Sequence, residues 1–466
     1  MIGVIGIVLS LGLLMYLAYR GINVLILAPL LALLAVLFQG LGGESAPLLG
    51  TYTQLFMTSL GEYLIKYFPL FLLGAIFGKL MDDSGSARTI AHWIVTKMGK
   101  NQAILAIVLS CAILTYGGVS LFVVAFAVYP IAAALFREAG VPKRLIPGSI
   151  ALGSFTFTMT ALPGTPQIQN AIPMPFFYTD PFAAPGLGII GGLIMFAGGT
   201  FWLNTRAKRA QARDEGYGEH AEEHTDQTSS EYGPSFLVAL TPIILVIALN
   251  YLYTKFLIPS WDTAFLAEEK YGNTNIDAVK GIWSIICALV LAIVALIAMH
   301  WKHWVDLKDT VNKGTMGSLL PIFNTASEVG YGSVIASLAS FAIIRDAVVG
   351  ISPHNPLISE AVAVNVLAGI TGSASGGMSI ALNTLGSTYL EMAKAAGISP
   401  ELLHRVATLS CGGFDALPHN GAVITLLAIC RLTHKDSYAD IFMTAVLIPI
   451  LALITVITLG TMFGSF

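Results

Sequence analysis

The segment CGGFDALPHNGAVITLL, Cys411 to Leu427, sets an acid and a histidine inside an apolar stretch. Asp415 and His419 stand four apart, one helical turn, so a proton could be shared between them. Pro418 removes a backbone donor beside them, and Gly421 frees the chain to turn. An earlier stretch, LGSFTFTMTALPGTPQIQN (Leu152 to Asn170), has Pro163 and Pro166 around Gly164, with Thr160, Thr165 and Gln167 close by. A helix interrupted in this way frees amides at one half-helix end and carbonyls at the other. The amides suit a carboxylate and the carbonyls a cation. A plain proline kink is the alternative. Two kinks flanked by Thr160, Thr165, Gln167, Asp415, His419, Asn420 and Gly421 favour a binding site.

Two Gly-Gly-x-Ser segments form a second constellation. The first holds Gly117, Gly118 and Ser120; the second, ITGSASGGMSIALNTLG, holds Ser373, Ser375, Gly376, Gly377, Ser379 and Asn383. Each reads as the tip of a re-entrant hairpin offering amides and hydroxyls to an oxygen-rich ligand. Close helix packing through small residues is the alternative. A charge at the bilayer centre costs at least about 2.5–3.5 kcal/mol, so a buried acid is a functional candidate. Asp415 is the first candidate for proton coupling, with His419 and Glu328 beside it. A structural hydrogen bond for Asp415 and a packing ion pair for Glu328 compete with that role.

These residues need a membrane to work in. The 466-residue chain is 55% hydrophobic and only 11% charged, with a mean hydropathy of +0.76. Soluble domains are nearer one quarter charged. Apolar runs at Ile2–Tyr19, Ile22–Phe38, Gly186–Leu203, Phe236–Leu257, Ile282–His300 and Ala439–Met462 are long enough to cross. The first lacks a basic lead and a small-residue cleavage site, so it reads as a retained helix. Cys111, Cys287, Cys411 and Cys430 read as inert buried thiols. Lys66, Lys79, Asp82 and Asp83 read as residues flanking a span. HAEEH (His220 to His224) is not a metalloprotease motif, and no metal is expected there. With no P-loop, nucleophile elbow or dinucleotide fingerprint, no enzyme, cofactor or nucleic-acid partner is expected.

The order Phe-Pro-Leu-Phe, Gly-Gly-x-Ser, Ala-Gly-Val, Ala-Leu-Pro in the first half recurs as Leu-Pro-Ile-Phe, Gly-Gly-x-Ser, Ala-Gly-Ile, Ala-Leu-Pro in the second. The reading is an all-α polytopic membrane protein of two inverted repeats, with re-entrant hairpins and broken transmembrane helices. The expected division is 1–50, N-terminal scaffold helices; 51–204, repeat 1, with its hairpin at 101–136 and broken helix at 145–175; 205–233, a charged cytoplasmic linker; and 234–466, repeat 2, with its hairpin at 356–395 and broken helix at 402–430. Basic loops at Thr205–Gly233 and Trp301–Gly314 against acidic Pro259–Ala278 put both termini outside. REAGVPKR is net basic, whereas EMAKAAGISPELLHR balances Lys394 and Arg405 against Glu391 and Glu401, which sets the two repeats on opposite faces. Inverted repeats with interrupted helices near the midplane are the layout of secondary transporters.

Three stretches, RGINVLILAPLLALLA, ITGSASGGMSIALNTLG and SCGGFDALPHNGAVITLLAICRLTH, resemble the gluconate:proton symporter family of the ion-transporter superfamily. The resemblance implies a homodimeric importer in the bacterial inner membrane, coupled to H+ and moving a small carboxylate by an elevator motion between scaffold and transport parts. The first break lacks the histidine of the gluconate branch. The pair ALPGTPQIQN and LPHNGAVITLLAIC is closer to the 3-hydroxybutyrate permease branch, which implies a short hydroxy-carboxylate ahead of gluconate. Sodium coupling through freed carbonyls is the rival within transport; a channel or an intramembrane enzyme is a more distant alternative.

Overall fold

A computed structural model describes residues 2–218 and 233–466. The expectation for His220–His224 therefore lies outside the described residues. Among these, regular structure is entirely helical. Seven helices are long and apolar enough to cross a membrane, or nine if two sharply bent pairs count as spans.

The first half opens with α1 (Ile2–Tyr19) against α2 (Val24–Leu41), whose first turn is capped by Asn23 accepting from Leu25 N at 2.9 Å. The short α3 (Leu48–Gly50) and a π-helical turn, Thr51–Phe56, lead into the long α4 (Met57–Asp83). After α5 (Ser86–Met98) the chain bends by 106° into α6 (Ala103–Tyr116), which pairs with α7 (Leu121–Glu138) as a hairpin. The broken segment follows as α8 (Ile146–Ser154), α9 (Phe157–Thr160), α10 (Ile168–Ala171) and α11 (Met174–Phe177), then α12 (Pro185–Gln211).

The second half runs in the same order. After α13 (Phe236–Leu252) and α14 (Ile276–Met299) comes the long α15 (Leu307–Ser337), bent by 97° into α16 (Phe341–Val349). A hairpin of α17 (Pro356–Thr371) and α18 (Ala374–Ala396) leads to the second broken segment, α19 (Pro400–Cys411) and α20 (Gly421–Ile429). The chain closes with α21 (His434–Phe442) and α22 (Ile448–Phe463).

Packing crosses the halves in matched pairs. α4 lies along α15, α2 packs on α15 and α14 on α4, while α12 lies along α22. Small residues permit the close approaches: a Cβ at Gly314 would stand 2.8 Å from the Ile76 backbone, and one at Gly377 would overlap the Ala368 backbone. α4 and α15 thus form the spine of a frame, with the hairpins and broken helices as a second bundle beside it.

Non-helical backbone survives inside hydrocarbon only where protein satisfies it, and side chains do so at both breaks. Thr156 donates to Leu152 O at 2.7 Å, Tyr116 to Pro163 O at 2.7 Å, Asn250 to Gly164 O at 3.0 Å and Asn170 to Thr165 O at 3.1 Å. In the second break Tyr438 donates to Ala416 O at 3.1 Å and His434 to Pro418 O at 2.8 Å.

The two breaks also touch. A Cβ at Gly412 would meet the Thr160 side chain at 2.7 Å. Arg405 of α19 donates to Thr160 O at 3.3 Å and to Ala183 O at 2.7 Å, and is fully buried. Its neighbour His404 meets Asn170 Oδ1 at 3.2 Å and Thr179 Oγ1 at 2.6 Å. This corrects the reading of Arg405 as a loop charge. It is spent on the first half's broken backbone, leaving Lys394 against two acids.

Candidate functional site

At the first tip, Gly118 adopts a left-handed φ of 96°, which lets α6 turn into α7. Gln167 donates to Thr115 O at 2.7 Å, tying the tip to the break below it. Thr165 is buried, with its hydroxyl 3.4 Å from Gln167 N, and Thr160 donates to Thr156 O at 3.1 Å. Gly117 faces Ile243 of α13, where a Cβ would come within 2.5 Å of the side chain. Ser120 begins α7 without a side-chain cap, and Gly164 turns at φ 79° against Phe182. The first-half candidates come together, and most are already engaged with their own backbone.

The second tip is chemically richer. Gly372 turns at φ 64°, and Ser373 caps α18 by accepting from Gly376 N at 3.0 Å. Asn420 donates to Gly372 O at 2.8 Å while accepting from Val423 N at 2.9 Å, so one amide caps α20 and latches the hairpin to the break. His419 donates to Gly369 O at 2.8 Å. Gly421 has open space around it.

The Glu328 carboxyl of α15 lies directly over Gly376, leaving no room for a Cβ there, and is within reach of the Ser373 hydroxyl. Its Oε2 has no hydrogen-bond partner. Ser375 meets Thr325 at 3.3 Å. Among the described residues Glu328 makes no ion pair, so the packing-pair alternative does not hold.

Asp415 sits in a single 3-10 turn, Phe414–Ala416, and its Oδ1 is buried without a partner. The helical spacing expected between Asp415 and His419 does not form. Extended backbone at Leu417, ψ 161°, carries His419 to Gly369, and no hydrogen bond joins His419 to Asp415 among the described residues.

Sequence reasoning missed several side chains. Tyr63 of α4 is one: it is buried, its hydroxyl faces that of Ser379 of α18, which the sequence did single out, and neither hydroxyl meets a third group among the described residues. They line a small cleft with Ser59, Glu62, Lys66, Tyr67, Phe176, Val329 and Asn383. The repeat of Ser59, Tyr63 and Tyr67 every four residues is a polar stripe on α4 that would have announced it. Glu360 of α17 is fully buried and neither carboxyl oxygen has a partner.

Paired hairpins, twin broken helices and a membrane-length frame define a multi-pass membrane transporter rather than an enzyme. The family model for GntP family permeases matches residues 1–463, and the chain belongs to that family. It is 46% identical to an uncharacterized transporter, YxjC, of Bacillus subtilis (strain 168), over 98% of each chain. It is 31% identical to the high-affinity gluconate transporter of Escherichia coli (strain K12) over 144 residues, 30% of this chain and 31% of that one. The fold is similar to that of the Alcanivorax borkumensis YdaH transporter, with a TM-score of 0.58, 16% identity and 88% of each chain covered. It is also similar to Neisseria gonorrhoeae MtrF, with a TM-score of 0.54, 13% identity, and 87% and 83% covered.

Proposed function

We propose that the chain is a secondary active transporter of the bacterial inner membrane that imports a short hydroxy-monocarboxylate with protons. 3-Hydroxybutyrate is the preferred substrate and gluconate the alternative. The observation that carries this reading is the Glu328 carboxyl over Gly376 at the amino end of α18. A helix amino end attracts an anion, and here a side chain of the frame stands where a substrate carboxylate would bind. In its protonated form Glu328 repels an incoming anion less and can donate a hydrogen bond to it. Proton and substrate then arrive together. Asp415, buried at the second break, is the second proton candidate.

The carbonyls freed at the breaks argue for protons over sodium. Those of Pro163, Gly164, Thr165, Ala416 and Pro418 already accept from Tyr116, Asn250, Asn170, Tyr438 and His434. A Na+ ion would have to compete with each donor. The latches from Gln167 and Asn420 favour an elevator, because hairpins tied to broken helices shift as one body against the frame. A homodimer with both termini in the periplasm completes the proposal, on family resemblance and loop charge.

The test is uptake of labelled 3-hydroxybutyrate and gluconate into proteoliposomes, with pH and Na+ gradients imposed separately. An acid exterior should drive accumulation and a Na+ gradient should not. Uptake indifferent to the pH gradient overturns proton coupling; uptake of neither acid overturns the substrate class.

A further inference from the structure

The cleft between frame and second hairpin carries more than the tip alone. On α4, Glu62 and Lys66 stand at its exposed rim, with Ser59, Tyr63 and Tyr67 one turn apart on the buried side. Across from them Ser379 and Asn383 project from α18, and Phe176 forms a wall. Lys66 lies over the Phe176 ring at 5.8 Å and, among the described residues, meets no carboxylate within ion-pair distance. The Tyr63 hydroxyl, 4% exposed as a residue, and the Ser379 hydroxyl, 2% exposed, face each other and have no other hydrogen-bond partner among the described residues. Two hydroxyls that face only each other leave one O–H donor unspent, and with a cation at the mouth of a polar cleft they are the parts of an anion site. A bound carboxylate would accept the donor that the pair leaves unspent.

We propose that Lys66, Tyr63 and Ser379 bind the carboxylate and hydroxyl of a small monocarboxylate in this cleft, between α4 and α18. This rests on the proposed carboxylate import and adds a cationic residue that the hairpin tips lack. Lys66 supplies one positive charge. Glu62 on the rim repels a second anionic group, and Glu328 nearby on α15 adds to that repulsion when ionised. Lys66 is the one cation lining the cleft, so a first carboxylate has a charge to pair with while a second would face Glu62, which disfavours dicarboxylates. The cleft has one wall on the frame and the other on the hairpin bundle, so motion between them opens or closes it.

The experiment uses the full-length protein in detergent and follows its thermal midpoint with 3-hydroxybutyrate, butyrate, gluconate, succinate and chloride, since a ligand that binds the native state raises the midpoint. At least one monocarboxylate should raise it, while succinate and chloride should not. Lys66→Gln should raise the half-saturating concentration about tenfold, as loss of a charged hydrogen-bond partner does, and Tyr63→Phe and Ser379→Ala should weaken binding in the same direction. Lys302→Gln, an exposed lysine elsewhere, is the control. A second reading avoids any folding defect of those variants: Asn383→Cys in a Cys287→Ser background should be protected from a maleimide by the same monocarboxylate. Midpoint shifts unchanged in all three variants, or an unprotected Cys at 383, overturn the cleft while leaving transport intact. Stabilisation by succinate equal to that by monocarboxylates overturns the charge rule. If no monocarboxylate raises the midpoint, the cleft proposal fails, and uptake in proteoliposomes then shows whether the import reading fails with it.

Discussion

At the scale of single residues, the decisive contact is a carboxyl on a glycine. A Cβ at Gly376 would push the Glu328 carboxyl aside, and Glu328 matters because its free oxygen faces the end of a helix. Glu328→Gln keeps the shape and removes the ionisable proton. It should retain exchange of labelled for unlabelled 3-hydroxybutyrate across proteoliposomes yet lose accumulation driven by the pH gradient. Asp415→Asn should lose gradient-driven uptake while still being expressed. Gradient-driven accumulation at wild-type level by either variant would clear that residue of a coupling role. Glu328 was legible in the sequence because a lone acid in an apolar run is expensive. Tyr63 and Lys66 were not, because residues near the start of a long span look like ordinary flanking groups until the facing hairpin is known. Arg405 was misread for a related reason: five residues beyond Pro400, it looked like loop.

At the scale of elements, glycine and proline punctuation made the hairpins and breaks readable. Those residues act locally, so their signal survives without knowledge of the tertiary fold. The helical link from Asp415 to His419 was not recoverable, because the intervening 3-10 turn and extended Leu417 redirect the imidazole. The latch at Asn420 is an element-level device. Losing an amino-terminal cap typically costs about 0.5–2 kcal/mol, so Asn420→Ala should lower stability by about 1–2 kcal/mol in a denaturation series. Asn420→Asp keeps the cap but loses the donor to Gly372, and should loosen the hairpin with less loss of stability.

A second tether joins the ends of two spans to the segment that follows α12. Arg144 donates to Glu215 at 2.6 and 3.0 Å and to the buried Asp440 at 3.3 Å, while Arg206 and Trp202 donate to Asp440 at 3.0 Å each. The hydrogen bond from Arg144 holds the Glu215 carboxyl below its ordinary range. A depressed carboxylate contributes fully above its unfolded pKa, roughly 4.3, and the contribution is lost as pH falls through the lower folded value. A nitroxide at Gly218 should therefore stay immobilised through neutral and mildly acidic pH and gain mobility only below that range. Release already at pH 6 would show that the ion pair is not what holds it.

For the whole molecule, the order of elements was foreshadowed by the recurring Pro-x-Phe, Gly-Gly-x-Ser and Ala-Leu-Pro marks, whereas the helix pairs that cross the halves were not. The uneven placing of polar groups was legible as well, since Asp415, His419 and Glu328 all lie in the second half. Aligning Pro69 with Pro321 sets Ile76 opposite Glu328, and Leu72, Leu73 and Ala75 opposite Asn324, Thr325 and Ser327. The architecture is duplicated while the polar groups concentrate in one copy. A symmetric frame thus carries an asymmetric set of polar groups.

Arg405 joins the halves more tightly than chain connectivity requires. Its guanidinium belongs to the second copy, yet its bonds go to Thr160 and Ala183 of the first. Covalent continuity between the copies should then be dispensable. Co-expressed as separate polypeptides, 1–218 and 233–466 should be recovered together on an affinity tag fused to either one, and replacing Arg405 by leucine should let them drift apart.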